Sequence, residues 1–193
     1  MPDTHPAFKR VSGLEGIAIA GRFGAAGNQA VCISVCPPRD VVFITALNGQ
    51  TGNLKKQLKK HCGADLPGPG RSSSGKSCTV HWAGPNQWYV VGTCDLTGKL
   101  AGIASQVDQS HGRITIVVSG ENARHVLAKG TPVDLHPDVF RARHCALTEM
   151  AHISVHLAKT ADNEFEISLY RGFAESFWEW LCEMSQEFGY QVK

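Results

Sequence analysis

The chain of 193 residues lacks any apolar run approaching the ~20 residues that a membrane-spanning helix needs. It lacks a strong charge of either sign: 19 Lys and Arg against 17 Asp and Glu leave a net +2, too small a bias to argue for nucleic acid or an anionic membrane as a partner. It contains no G-x-G-x-x-G dinucleotide fingerprint and no Cys-x-x-Cys pair, which removes the usual signatures of a Rossmann cofactor site and of a structural zinc module. Residues 1–10 have no apolar stretch of the kind a secretory signal requires, so a cytoplasmic protein is expected. The seven cysteines are odd in number and come without an export signal, which favours reduced thiols packed as small hydrophobes over a disulfide scaffold.

What is present is ordinary for a folded domain: 42% hydrophobic and 19% charged residues. Residues 1–10 read as a flexible arm. Residues 14–20 and 30–36 read as strands around a Gly-rich turn at 21–28, and residues 41–46 as a buried strand. Asn53 reads as the cap of a helix carrying Leu54, Leu58 and Cys62 on one face and Lys55, Lys56, Lys59 and Lys60, a solvated face, on the other. A hairpin is expected over 78–83 and 87–91, and Leu96, Leu100, Ile103, Ala104 and Val107 mark a helix. Then follow a strand at 112–119, a helix at 121–129, a strand at 147–157 paired with 165–169, and a last helix stopped by Gly189. Residues 41–107 and 112–188 thus each read strand, helix, strand, strand, helix, which predicts an α+β fold of antiparallel sheets backed by helices. One domain over 1–193 is expected, with halves at about 11–107 and 108–193.

Three patterns invite chemistry and are better read as structure. Gly70-Arg71-Ser72-Ser73-Ser74-Gly75-Lys76-Ser77 spells G-x-x-x-x-G-K-S, but Pro67 and Pro69 precede it and an alternating strand follows, so no helix N-terminus is there to hold phosphate; a mobile surface loop is expected instead. Asp108, Ser110 and His111 are too close in sequence to converge on one atom, so Asp108 and Ser110 are expected to hydrogen-bond backbone where the second half begins. His152 and His156 share one strand face about 13 Å apart, too far to bind one metal unaided, and read as surface residues.

A longer pattern carries a family likeness. Asp108-Gln109-Ser110-His111-Gly112-Arg113 leads into the apolar run 114–118 and then Ser119-Gly120-Glu121-Asn122-Ala123-Arg124. After it come Lys129-Gly130-Thr131-Pro132-Val133-Asp134-Leu135-His136-Pro137, Phe140 and Cys145-Ala146-Leu147-Thr148. With Trp82-Ala83-Gly84-Pro85-Asn86-Gln87-Trp88 and Arg171-Gly172-Phe173-Ala174-Glu175-Ser176-Phe177-Trp178, this resembles the gamma subunit of heterotetrameric sarcosine oxidase, a relative of the glycine-cleavage T-protein folate-binding fold. The resemblance covers about 66–189. It implies a non-catalytic subunit with alpha, beta and delta partners. The complex would demethylate sarcosine to glycine with H2O2 as product and pass the one-carbon unit to tetrahydrofolate. FAD, FMN, NAD, tetrahydrofolate and zinc would all be held by the other subunits. No catalytic, cofactor or metal residue is assigned to this chain.

Interface residues are assigned to two positions. Trp178, one step off a core face containing Phe173, Phe177, Trp180, Leu181, Met184 and Phe188, reads as either a half-buried core residue or a subunit anchor. Arg171, between strand and helix, would pair with Asp134 or Glu166 or grip a neighbouring chain. The alternatives are the equivalent subunit of an N-methylglutamate dehydrogenase-type complex, a stand-alone folate-binding aminomethyltransferase-like protein, and a metal-binding regulator using the adjacent pairs His61-Cys62 and His144-Cys145.

Overall fold

Two β-sheets lie face to face, each with its outer side covered by helix. The computed structural model describes residues 10–25 and 30–193; residues 1–9 of the expected arm and 26–28 of the turn expected at 21–28 lie outside them, and residues 21–23 form a strand instead of a turn. The strands are β1 (Gly21–Phe23), β2 (Val31–Val35), β3 (Val41–Ala46), β4 (Ser72–Ser74), β5 (Cys78–Gly84), β6 (Gln87–Gly92), β7 (Ala104–Asp108), β8 (Arg113–Ser119), β9 (Cys145–Met150), β10 (Ile153–Ala161), β11 (Glu164–Tyr170) and β12 (Tyr190–Val192). The helices are α1 (Thr51–Cys62), α2 (Ala123–Ala128) and α3 (Ala174–Ser185). The larger sheet runs β1-β12-β2-β8-β11-β10-β9 and the smaller β4-β5-β6-β3-β7. All pairings are antiparallel except β12 with β2, so the expected α+β architecture holds.

Strand alternation builds the larger core. Ile114, Ile116 and Val118 of β8, Val155 and Leu157 of β10, and Phe165, Ile167 and Leu169 of β11 point to one face. There they meet Ala123, Val126 and Leu127 of α2 and Ala174, Phe177, Trp178 and Leu181 of α3. The smaller core places Ile44, Val80, Trp88 and Val90 against Leu54, Leu58 and Cys62, the i, i+4, i+8 face of α1. Gly63 ends that helix in the left-handed conformation, φ 71°, donating its N–H to the Lys59 carbonyl. Lys55, Lys56, Lys59 and Lys60 are exposed, as the amphipathic pattern requires.

Several expectations are corrected. Helix α1 begins after Gln50, not at Asn53, whose amide instead donates to the Gln50 side chain. Residues 96–107 do not form a helix: Gly98 and Gly102 adopt φ of 69° and 71°, which fold 97–103 into turns, and β7 then pairs with β3. Leu96 and Leu100 are still buried, so the apolar spacing is real and its period misleads. Residues 147–157 are not one strand, because Ala151 and His152, φ 53° and 62°, make a tight turn from β9 to β10. Residues 14–20 form a turn with Leu14 buried, and the strand follows at β1. Ser72–Ser74, expected in a mobile loop, is the edge strand β4.

The sheets also divide the chain differently from halves at 11–107 and 108–193. Strands β1 and β2 join the larger sheet through β12 and β8, since Val31 and Ile33 are apolar residues of the larger core.

Candidate functional site

The inner faces of the two sheets meet across a seam far more polar than either core. On the smaller sheet His81 (β5) and Tyr89 (β6) point inward; on the larger, Thr115 (β8), His156 (β10), Glu166 and Ser168 (β11) occupy the positions that alternate with the apolar core residues. The His81 and His156 rings meet edge to face with centroids 5.1 Å apart, and Tyr89 packs on His156 at 5.5 Å. Arg113 donates to Tyr89 Oη at 2.6 Å and lies over the Tyr170 ring at 4.4 Å. Arg39 crosses the seam to Glu166 at 3.2 Å.

Burial fixes the protonation states. His156, 4% exposed, is pushed down to about 3, by burial first and then by His81. Its Nε2 lies 3.1 Å from the Trp82 carbonyl, which can only accept, so the neutral ring carries its proton on Nε2. His81, 5% exposed, is pushed down to about 4 by burial and by Arg39. The Cys145 thiol is pushed up to about 11 by burial and donates to the Arg71 carbonyl at 3.1 Å. His81, Cys145 and His156 therefore gather as neutral groups, their potential ligand atoms all within 4.8 Å of one another. Sequence reasoning missed this cluster. His156, taken for a surface residue, is buried because the second sheet covers its face; His152 is exposed on the β9–β10 turn.

The sequence-predicted positions fall elsewhere. Asp108 accepts hydrogen bonds from Ser110 N–H at 2.8 Å and from Ser110 Oγ, which in turn accepts the Val41 N–H. These contacts from Ser110 hold the Asp108 carboxyl below its usual range. The pair tethers backbone, as expected. The G-x-x-x-x-G-K-S segment passes from β4 into β5 as a hairpin, with no helix after it. The pairs His61-Cys62 and His144-Cys145 do not converge. Cys62 is instead disulfide-bonded to Cys94, with Cα atoms 5.7 Å apart, which corrects the expectation of seven reduced thiols.

At the two assigned interface positions, Trp178 is 6% exposed and belongs to the larger core, whereas Trp180 is the half-buried tryptophan. The buried stripe of α3 is Ala174, Phe177, Trp178 and Leu181, i, i+3, i+4, i+7. Phe173 lies in the turn before the helix and is exposed, which shifts the phase of that stripe. The Trp180 indole lies over Gly130, where even a Cβ would approach it to 2.4 Å. Arg171 pairs with neither Asp134 nor Glu166; its guanidinium donates to the carbonyls of Val11, at 2.6 Å, and Ser12.

Comparison with known proteins now has a fold to attach to. The profile of the "sarcosine oxidase, gamma subunit family" matches residues 57–187. The chain belongs to that family. The gamma subunit of Corynebacterium sp. strain U-96 is 30% identical over 177 residues, 84% of this chain and 83% of the relative. That of an Arthrobacter species is 29% identical over 78% of this chain and 80% of the relative. Among solved structures, a chain of the heterotetrameric sarcosine oxidase from Corynebacterium sp. U-96, in complex with pyrrole 2-carboxylate, superposes with a TM-score of 0.79. It is 26% identical, over 93% of this chain and 96% of that one. The gamma-family fold also superposes on a glycine cleavage system aminomethyltransferase T from Bartonella henselae. The TM-score is 0.63 at 13% identity, over 93% of this chain and 57% of that one, a likeness of fold alone.

Proposed function

We propose that the chain is the gamma subunit of a heterotetrameric sarcosine oxidase and braces the alpha, beta and delta chains without carrying out chemistry itself. The observation that carries this reading is the match over nearly the full length of both chains to a component of such an oxidase. The assembled enzyme would oxidise sarcosine to glycine with H2O2 as product and transfer the one-carbon unit to tetrahydrofolate in the cytoplasm. FAD, FMN, NAD, tetrahydrofolate and zinc would reside in the other subunits. The internal chemistry supports a bracing role: Asp108 and Ser110 are spent on backbone, and the seam histidines are held neutral by burial.

With Trp178 in the core, the subunit contact is better sought beside Arg171. Val11, Tyr170 and Phe173 are exposed there, and the Arg171 bond to the Val11 carbonyl ties the two segments together. Co-expression with the three partner chains tests the reading. The intact chain should co-purify with them and be required for a stable oxidase, and Phe173→Ser, at a side chain 53% exposed, should fold normally yet co-purify poorly. Full assembly and sarcosine turnover in the absence of this chain would remove the bracing role.

A further inference from the structure

Next to the histidine contact, the seam opens into a cavity of about 290 Å³ that reaches the surface beside β4. Its charged lining is lopsided. Arg39, Arg143 and Lys159 face it with Glu166 as the one carboxylate, and Glu166 is already paired with Arg39. Lys159 is 4% exposed, and among the described residues it has no carboxylate within ion-pair distance. Its ammonium touches the cavity space, and beside two arginines it presents a positive surface to any anion that enters.

A second observation points the same way. Among the described residues, two buried side-chain nitrogens find no hydrogen-bond partner, Arg39 Nε and His81 Nδ1, and both residues line this cavity. Orphaned buried polar atoms are uncommon in folded proteins, and each of these becomes a donor to the cavity when its side chain turns toward it. Thr79 adds a hydroxyl to the same wall. We infer that the cavity between the sheets binds a small oxyanion, a carboxylate or phosphate of a few heavy atoms. Lys159 and Arg143 supply the charge, and the Arg39 guanidinium turns to donate a hydrogen bond. His81 adds a second donor when its neutral ring carries the proton on Nδ1. A cavity of about 290 Å³ lies at the small end of the range of ligand sites, about 300–1,000 Å³.

The test uses the full chain, with succinate and inorganic phosphate as separate probes and sodium chloride at matched ionic strength as control. Either probe at about ten times its Kd should raise the melting temperature by about 3–5 °C over the chloride control. Which probe does so decides between carboxylate and phosphate. Arg143→Asn changes an exposed residue to one that tolerates its left-handed backbone, φ 69°. It should weaken binding at least tenfold by calorimetry, and Lys159→Gln should do the same or more. Should Lys159→Gln fail to fold, Arg143→Asn decides alone. Glu166→Gln, which removes the opposing charge, should tighten binding. No stabilisation by either probe beyond chloride, or affinity unchanged in Arg143→Asn, overturns the site.

Discussion

His81 and His156, from strands of different sheets, meet edge to face at 5.1 Å in the middle of the seam, and both are held neutral. Around them stand Arg39, Arg113, Tyr89 and Glu166, so a proton arriving on either ring would join a buried cluster already rich in cations.

Stability should therefore fall with acid in a defined window. In the unfolded chain both histidines protonate near 6.5, whereas in the fold His81 resists until about 4 and His156 until about 3. Between those values the unfolded state binds more protons. The stability is present in full above about pH 6.5 and lost as pH drops toward 4, by up to about 1.4 kcal/mol per pH unit for each histidine. Denaturant melts at a series of pH values should show this slope, and His81→Gln should reduce it by about half. Equal slopes in the two proteins would falsify the assignment.

Trp178 and Trp180 should respond unequally to truncation. Trp178→Ala empties a fully packed position in the larger core and should cost ~3–5 kcal/mol. Trp180→Ala removes a half-buried ring above Gly130 and should cost clearly less. Urea melts of the two variants rank them directly; the reverse order would put Trp180 in the core.

The Cys62–Cys94 bond closes a loop with a sequence separation of 32 and leaves five free thiols: Cys32, Cys36, Cys78, Cys145 and Cys182. Thiol titration of the denatured protein should count five before reduction and seven after. The oxidised form should be more stable by about 3–4 kcal/mol on the loop-entropy argument. Seven thiols from oxidised, air-exposed protein would show that the bond does not form.

Lys76 is exposed on the turn into β5, with no helix N-terminus behind it to hold phosphate. Lys76→Ala should leave folding and assembly unchanged, and ATP should not shift the melting temperature of either form. Stabilisation by ATP that the substitution abolishes is the result that would restore the motif.

Local pattern was enough for the family likeness, the apolar face of α1, the β5–β6 and β10–β11 hairpins and the rejection of the phosphate loop. Each of these is written in short segments of neighbouring residues, the likeness in several of them spread over 66–189. It failed where the signal was a phase. In α3 the apolar residues permit stripes centred on Trp178 or on Trp180, and only the point where the helix begins, after the exposed Phe173, selects between them. At 96–107 the helical spacing was real, but two left-handed glycines overrode it.

Periodicity along β10 determined by itself that Val155 and Leu157 would face one core, because a strand sends alternate residues to opposite sides. It left open what His156 on the other side would meet. That depended on a second sheet, whose Trp82 carbonyl and His81 ring, over 70 positions away in sequence, turn an ordinary polar face into a buried seam. The same holds for Cys62 with Cys94 and for β2 between β12 and β8. A sequence records which face of an element is apolar; whether its polar face is wet or covered is decided by which distant element packs against it.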